Sequence, residues 1–239
     1  MPASVTERRA VSPVVSTVII TATLLIVLVV ATALASSMLE IQFQNLEFEQ
    51  AKTVMMALDK VITEVSLRPG AASSVQFNQR SGGVGVYRGE DVKIYVNGSV
   101  EVLSFPTYVL KYRGGSMVSA APTNLSGSGK LVVEAHEPLG HVRVEVGNGA
   151  WIVLDYNRAR VVVNEELGVV DVFVIRLQPG TFGGSGTVTI RVQNKYVSTT
   201  TCRGDSIGIA VDAVPPFERK LNGVLNIRIT EVAIEVSTM

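Results

Sequence analysis

The chain has 239 residues, and its 21 basic and 21 acidic side chains leave a formal net charge of zero. No basic field is available to neutralise a phosphate backbone, so nucleic acid is a poor partner. The single cysteine, Cys202, excludes an intrachain disulfide framework and a CxxC metal site.

Met1 to Glu7 is short and polar, reading as a leader or tail, and Arg8 and Arg9 follow it. From Val14 to Ala35 no charge occurs, and at about 1.5 Å per residue this run spans about 33 Å, roughly a bilayer core. Its threonines, Thr17, Thr21, Thr23 and Thr32, can bond back to their own helix. Basic residues before the run and Glu40 after it predict a cytoplasmic N-terminus and a body carried outside. Ala33-Leu34-Ala35 imitates a signal-peptidase site, but the run is long and helical patterning continues through it. Pro13 stands where a helix tolerates its missing N–H, and no glycine or further proline occurs before Leu67. One long helix is expected over residues 11–68.

Beyond the membrane-length part, Leu39, Phe43, Leu46, Val54, Leu58, Val61 and Val65 recur at three-four spacing, broadened by Ile41, Phe48, Ala51, Met55 and Ile62. That spacing predicts a packed face, against the chain's own body alone or against neighbours as well. Pro69-Gly70 ends the helix. Residues 69–239 then alternate short β-rich runs with turn signals, Asn97-Gly98 being the best hairpin signal. The expected class is α+β: a long N-terminal hydrophobic then amphipathic helix followed by an antiparallel β-sandwich-like domain. Residues Gly114 to Lys130, rich in Ser and Gly, read as an exposed loop, and the alternating C-terminus reads as a closing strand.

Signals for chemistry are thin. His136 and His141 lack an accompanying metal-binding cluster and read as exposed loop or turn residues. Gly82-Gly83-Val84-Gly85 lacks the lysine and helix of a phosphate loop, and no nucleophile elbow is present. Arg203-Gly204-Asp205 reads as a turn. No catalytic, cofactor-binding or metal-binding residue is nominated, and a non-enzyme is expected. Asn97-Gly98-Ser99 and Asn124-Leu125-Ser126 are N-glycosylation acceptor motifs, meaningful if the body is external, and both fall in predicted loops.

The segment RRAVSPVVSTVIITATLLIVLVVATALA resembles archaeal type IV pilins, and more loosely archaellins, over about residues 8–38, with the longer helix extending the likeness to residue 67. The resemblance implies a leader, residues 1–10, removed by a prepilin peptidase, with Arg9, Ala10 and Val11 around the cut. Cleavage after Ala10 leaves Val11 first; cleavage after Arg9 is the alternative. Bacterial type IV pilins usually carry a glutamate near mature position five, where this chain has Val15, and no acid occurs from Val11 to Leu39. That departure fits the archaeal side and puts a salt-bridge registration mechanism in doubt.

The same resemblance implies a structural, adhesive subunit that starts in the cytoplasmic membrane and ends in a helical cell-surface filament of identical copies, with pilus-assembly machinery as its partner. Val14, Val15, Val18, Ile19, Leu24, Leu25, Val27, Leu28 and Leu34 would form the polymerisation helix. The rival readings are a single-pass, membrane-anchored surface protein with a ligand-binding β-domain and, third, an anchored extracellular enzyme.

Overall fold

The computed structural model describes residues 13–164, 166–184, 186–211 and 214–239. Helix α1, Pro13–Ser66, runs without interruption for 54 residues, as expected where neither proline nor glycine intervenes. The chain divides into two compact units, Met1–Phe43 and Gln44–Met239, and the division falls inside α1.

In the second unit, α1 closes with tight three-residue bonds, Leu67 N–H to the Glu64 carbonyl and Arg68 N–H to that of Val65. Gly70, at φ +77°, supplies the left-handed turn that follows. The last carbonyls of a helix lack intrahelical donors. Here the fully buried Asn194 amide donates to the carbonyls of Val65, at 3.1 Å, and Arg68, at 3.2 Å.

Among the described residues eleven strands form one connected sheet. They are β1 (Ala72–Gln79), β2 (Gly83–Val96), β3 (Val100–Arg113), β4 (Thr123–Ser126), β5 (Val132–Val133), β6 (His141–Gly147), β7 (Gly149–Asp155), β8 (Ala159–Asn164), β9 (Val169–Pro179), β10 (Gly186–Val211) and β11 (Val214–Thr238). The order is β4-β6-β7-β3-β2-β10-β11-β9-β8-β5, with β1 added beside β10. The α+β class expected from the sequence holds. Pairing is mainly antiparallel, but β11 runs parallel to β9 and β5 parallel to β8.

The sequence shows Val84–Tyr87 and Val92–Val96 as two short β-rich runs, and the structure fuses such runs into longer strands. Both belong to β2, with a register shift between Arg88 and Asp91, where Pro106 sits opposite Asp91. The long β10 and β11 likewise carry irregularities at Asn194/Tyr196, Gly204/Ser206 and Ile209/Val211. A bulge lets a strand bend and continue pairing where a sequence shows only a break. The segment Gly114 to Lys130, expected as loop, contains the edge strand β4.

Among the described residues two hydrophobic cores result. One lies between α1 and the sheet, joining Phe48, Met55, Leu58 and Ile62 to Leu110, Tyr112, Ile152 and Leu154. The other holds mainly β-strand residues, among them Ile94, Val172, Ile209 and Ile227, with Leu131 from the connection before β5. The buried seam of α1 is Gln44, Phe48, Ala51, Met55, Leu58, Ile62 and Val65, a regular three-four alternation. Of the stripe expected from sequence, Leu58, Val65, Phe48, Ala51, Met55 and Ile62 lie in this seam, and Val54 and Val61 are half-buried. Leu39, Ile41, Phe43 and Leu46 are exposed.

Two buried carboxylates pin α1 to the sheet. Glu47 accepts from the backbone of Ser81 and Gly82, the Ser81 hydroxyl and the Tyr112 hydroxyl. Asp59 Oδ1 accepts from the Tyr156 hydroxyl at 2.6 Å. Burial raises the Asp59 carboxyl above its ordinary range, and the bond from Tyr156 and the charges of Arg158 and Lys60 offset this only in part.

A raised folded-state pKa means that folding takes up a proton. The Asp59 contribution is therefore fully present below its ordinary value of 3.8 and is lost as pH climbs through the raised value. Asp59→Asn keeps the acceptor oxygen without the buried charge. It should unfold at a higher temperature than the parent at pH 7, with the difference shrinking towards pH 3; calorimetry across that range checks the sign.

Candidate functional site: the exposed apolar helix

The residues expected to form a polymerisation helix lie on the first part of α1. Val15, Val18, Ile19, Leu24, Leu25, Val27, Leu28 and Leu34 are each between 48% and 68% exposed in the single chain. Val14 belongs to α1 by its backbone. From Val15 through Leu39 every residue is exposed, and only at Glu40 does partial burial begin. The nominated leader residues Arg9, Ala10 and Val11 lie outside the described residues.

Hydroxyls within the apolar run turn inward. Thr21 donates to the Thr17 carbonyl at 2.9 Å, Thr23 to that of Ile19 and Thr32 to that of Leu28, both at 2.8 Å. A hydroxyl bonded to its own helix carries much less of the penalty of entering an apolar phase. Among the described residues α1 is the one helix long and apolar enough to cross a membrane. An uncharged apolar cylinder of this length is stable in lipid or against other apolar surfaces, not in water.

The two sequons sit differently. Asn97 occupies the β2–β3 turn at φ +55°, exposed, and its Oδ1 accepts from the Asp205 N–H at 3.0 Å. Asn124 lies on β4 rather than in a loop, and its own Nδ2 donates to the Gly127 carbonyl at 2.8 Å. Arg203-Gly204-Asp205, expected as a turn, runs within β10 at a bulge. A Cβ on Gly204 would come within 2.4 Å of Val96, so close strand packing explains that glycine.

The histidines also separate. His136 is exposed, whereas His141 begins β6 and is 8% exposed, which corrects its reading as an exposed residue. Burial, then the charge of Arg158, pushes its imidazole pKa down, so it is neutral at neutral pH. Among the described residues no group of three or more His, Cys, Asp or Glu side chains is placed to hold a metal ion.

Sequence reading missed a second polar cluster, on the sheet face away from α1. Asp155, 4% exposed, pairs with Arg143 and Arg158, and Arg143 also pairs with Glu145 at 2.7 Å. Burial opposes ionisation of Asp155, but the two guanidinium groups outweigh it and hold the carboxyl below its ordinary range. The signal was weak because Arg143, Asp155 and Arg158 come from β6, β7 and the connection after β7, and only strand pairing brings them together.

No protein-family model, curated protein or solved structure matches this chain.

Proposed function

We propose that this chain is the structural subunit of a type IV pilus-like filament of the archaeal kind, held in the cytoplasmic membrane before assembly and displayed on the cell surface afterwards. One observation carries the reading: α1 is exposed, uncharged and mainly apolar from Val15 to Leu39, yet the same helix continues into a seam that is part of the β-rich body's own core. A helix with both properties has a use for its first part only in lipid or among other copies. Removal of the basic leader and transfer of the apolar runs from lipid to one another would bury them in a filament core. Repetition of one interface by a screw operation is open-ended, which suits a fibre. Adhesion is the natural task of such a fibre, with the β-rich body facing outward.

The test is direct. Material sheared from cells expressing the chain should contain fibres by negative-stain microscopy, and mass analysis should find this chain in them beginning at Val11 or Ala10. Recovery solely as detergent-soluble monomers with an intact Met1 would sink the filament reading in favour of a single-pass surface protein.

A further inference from the structure

Side chains alternate along a strand, and the alternation sorts β3, β6 and β7 into two faces. Leu110, Tyr112, Val142, Val144, Ile152 and Leu154 face α1. Their neighbours Val109, Lys111, His141, Arg143, Val153 and Asp155 line a cleft of about 540 Å³ on the opposite face, within the size range of small-ligand sites. We propose that this cleft, with the aromatic pair beside it, binds a short neutral oligosaccharide.

Three features specify that chemistry. The first is charge. The cleft is lined by Arg88, Lys111, Arg143 and Arg158 together with Glu90 and Asp155. The three arginines are matched: Arg143 and Arg158 meet Asp155, Arg143 also meets Glu145, and Arg88 reaches Asp91 at 3.5 Å. Counting Glu145 and Asp91, which pair with arginines of the cleft from outside its lining, four basic and four acidic groups surround it, which keeps the net field small.

The second feature is hydrogen-bonding sense. Arg158 is 4% exposed, and its Nε–H donor has no protein partner; Asn157, beside it, has a buried Oδ1 acceptor without one. Both residues line the cleft. Buried polar groups need partners, and sugar hydroxyls supply donors and acceptors alike. The Asp155 pairs hold the Arg158 fork in place before any ligand arrives.

The third feature is an aromatic shelf on the same face. Trp151 precedes Val153 by two residues on β7, and Tyr87 lies across from Val109. The two rings meet edge to face with centroids 6.1 Å apart, and the Arg113 guanidinium lies 5.5 Å from the Trp151 ring. Gly85 leaves room for this arrangement, since a Cβ there would come within 3.2 Å of the Tyr87 ring. Two residues along a strand is about 7 Å, so the shelf lies within reach of a ligand longer than one sugar ring. One ring would occupy the cleft while the next laid its C–H face on the aromatics.

Trp151 is the only tryptophan in the chain, so its fluorescence reports binding without a label. The full chain in non-ionic detergent is titrated with maltotriose, mannotriose and, as a charged control, trigalacturonate. At least one neutral trisaccharide should shift the emission saturably at millimolar concentration, and trigalacturonate should bind at least about tenfold more weakly, a difference of about 1.4 kcal/mol. Asn157→Leu and Lys111→Ala should each weaken the neutral ligand about tenfold with the unfolding temperature of the body unchanged. Absence of a saturable shift with both neutral sugars overturns the proposal, as does equal or tighter binding of trigalacturonate. Unchanged affinity in both variants does the same. The measurement needs no filament, so its failure would leave the pilus reading standing, and failure of that reading would leave this one untouched.

Discussion

Leu25→Asp should abolish surface fibres while leaving the unfolding of the β-rich body unchanged. Leu25 is 57% exposed and lies near the middle of the uncharged run. Moving an aspartate instead of a leucine to the centre of a membrane-spanning helix costs about 3–4 kcal/mol on insertion scales. In a filament the same carboxylate would be buried among apolar neighbours, without a partner, once for every copy. A fibre multiplies that penalty along its length, whereas a monomer in detergent meets it once.

The control is Thr21→Val, which removes a hydroxyl that bonds only to the Thr17 carbonyl; fibres should persist. Normal fibres from Leu25→Asp cells would remove the apolar run from the assembly mechanism. Loss of fibres together with a lowered unfolding temperature of the body would instead point to a general folding defect.

Glu47→Ala should destabilise the body by about 3 kcal/mol, because it strands several buried donors at once. Oε1 accepts from Tyr112 at 2.8 Å and Gly82 at 3.1 Å, and Oε2 accepts from the Ser81 hydroxyl at 2.6 Å. For a body of this size that lowers the unfolding temperature by about 6–12 °C. Glu47→Gln retains one oxygen and turns an amide NH2 towards the remaining donors, so it should fall between the parent and alanine.

The pH dependence separates this pin from simple packing. Burial raises the Glu47 carboxyl, but the bonds from Ser81, Tyr112 and Gly82 together outweigh it and hold the pKa below 4.5. A depressed folded-state value means that the contribution is complete above pH 4.5 and is lost as pH falls through the folded value. The parent should lose stability in that acid window more steeply than Glu47→Ala. Parallel profiles would show that the carboxylate charge is not what the body uses. The opposite slope expected for Asp59, about three turns further along α1, makes the double variant Glu47→Ala/Asp59→Asn the flattest of the series.

The local chemistry of the chain was legible wherever it rests on near neighbours. The charge-free interval from Val14 to Ala35 and the absence of helix breakers before Leu67 require a long apolar helix, because both signals act within a turn or two. Pro69-Gly70 and Asn97-Gly98 mark an end and a hairpin for the same reason, and both are found there. The α+β class follows from that helix and the β-rich runs after it.

Tertiary structure alone decided which face of α1 is covered. Leu46 and Phe48 look alike in sequence, yet one is 56% exposed and the other 1%, since the seam is chosen by the sheet it meets. Glu47 stands beside the apolar stripe with nothing local to mark it, and is an acceptor for partners 34 to 65 residues away. Strand fusion across bulges, the parallel β9–β11 contact and the Asp155 cluster share that cause: each depends on pairing between distant segments, which leaves no local periodicity. The apolar run at the start of α1 is the reverse case, determined by its own composition and waiting on surroundings that no single copy supplies.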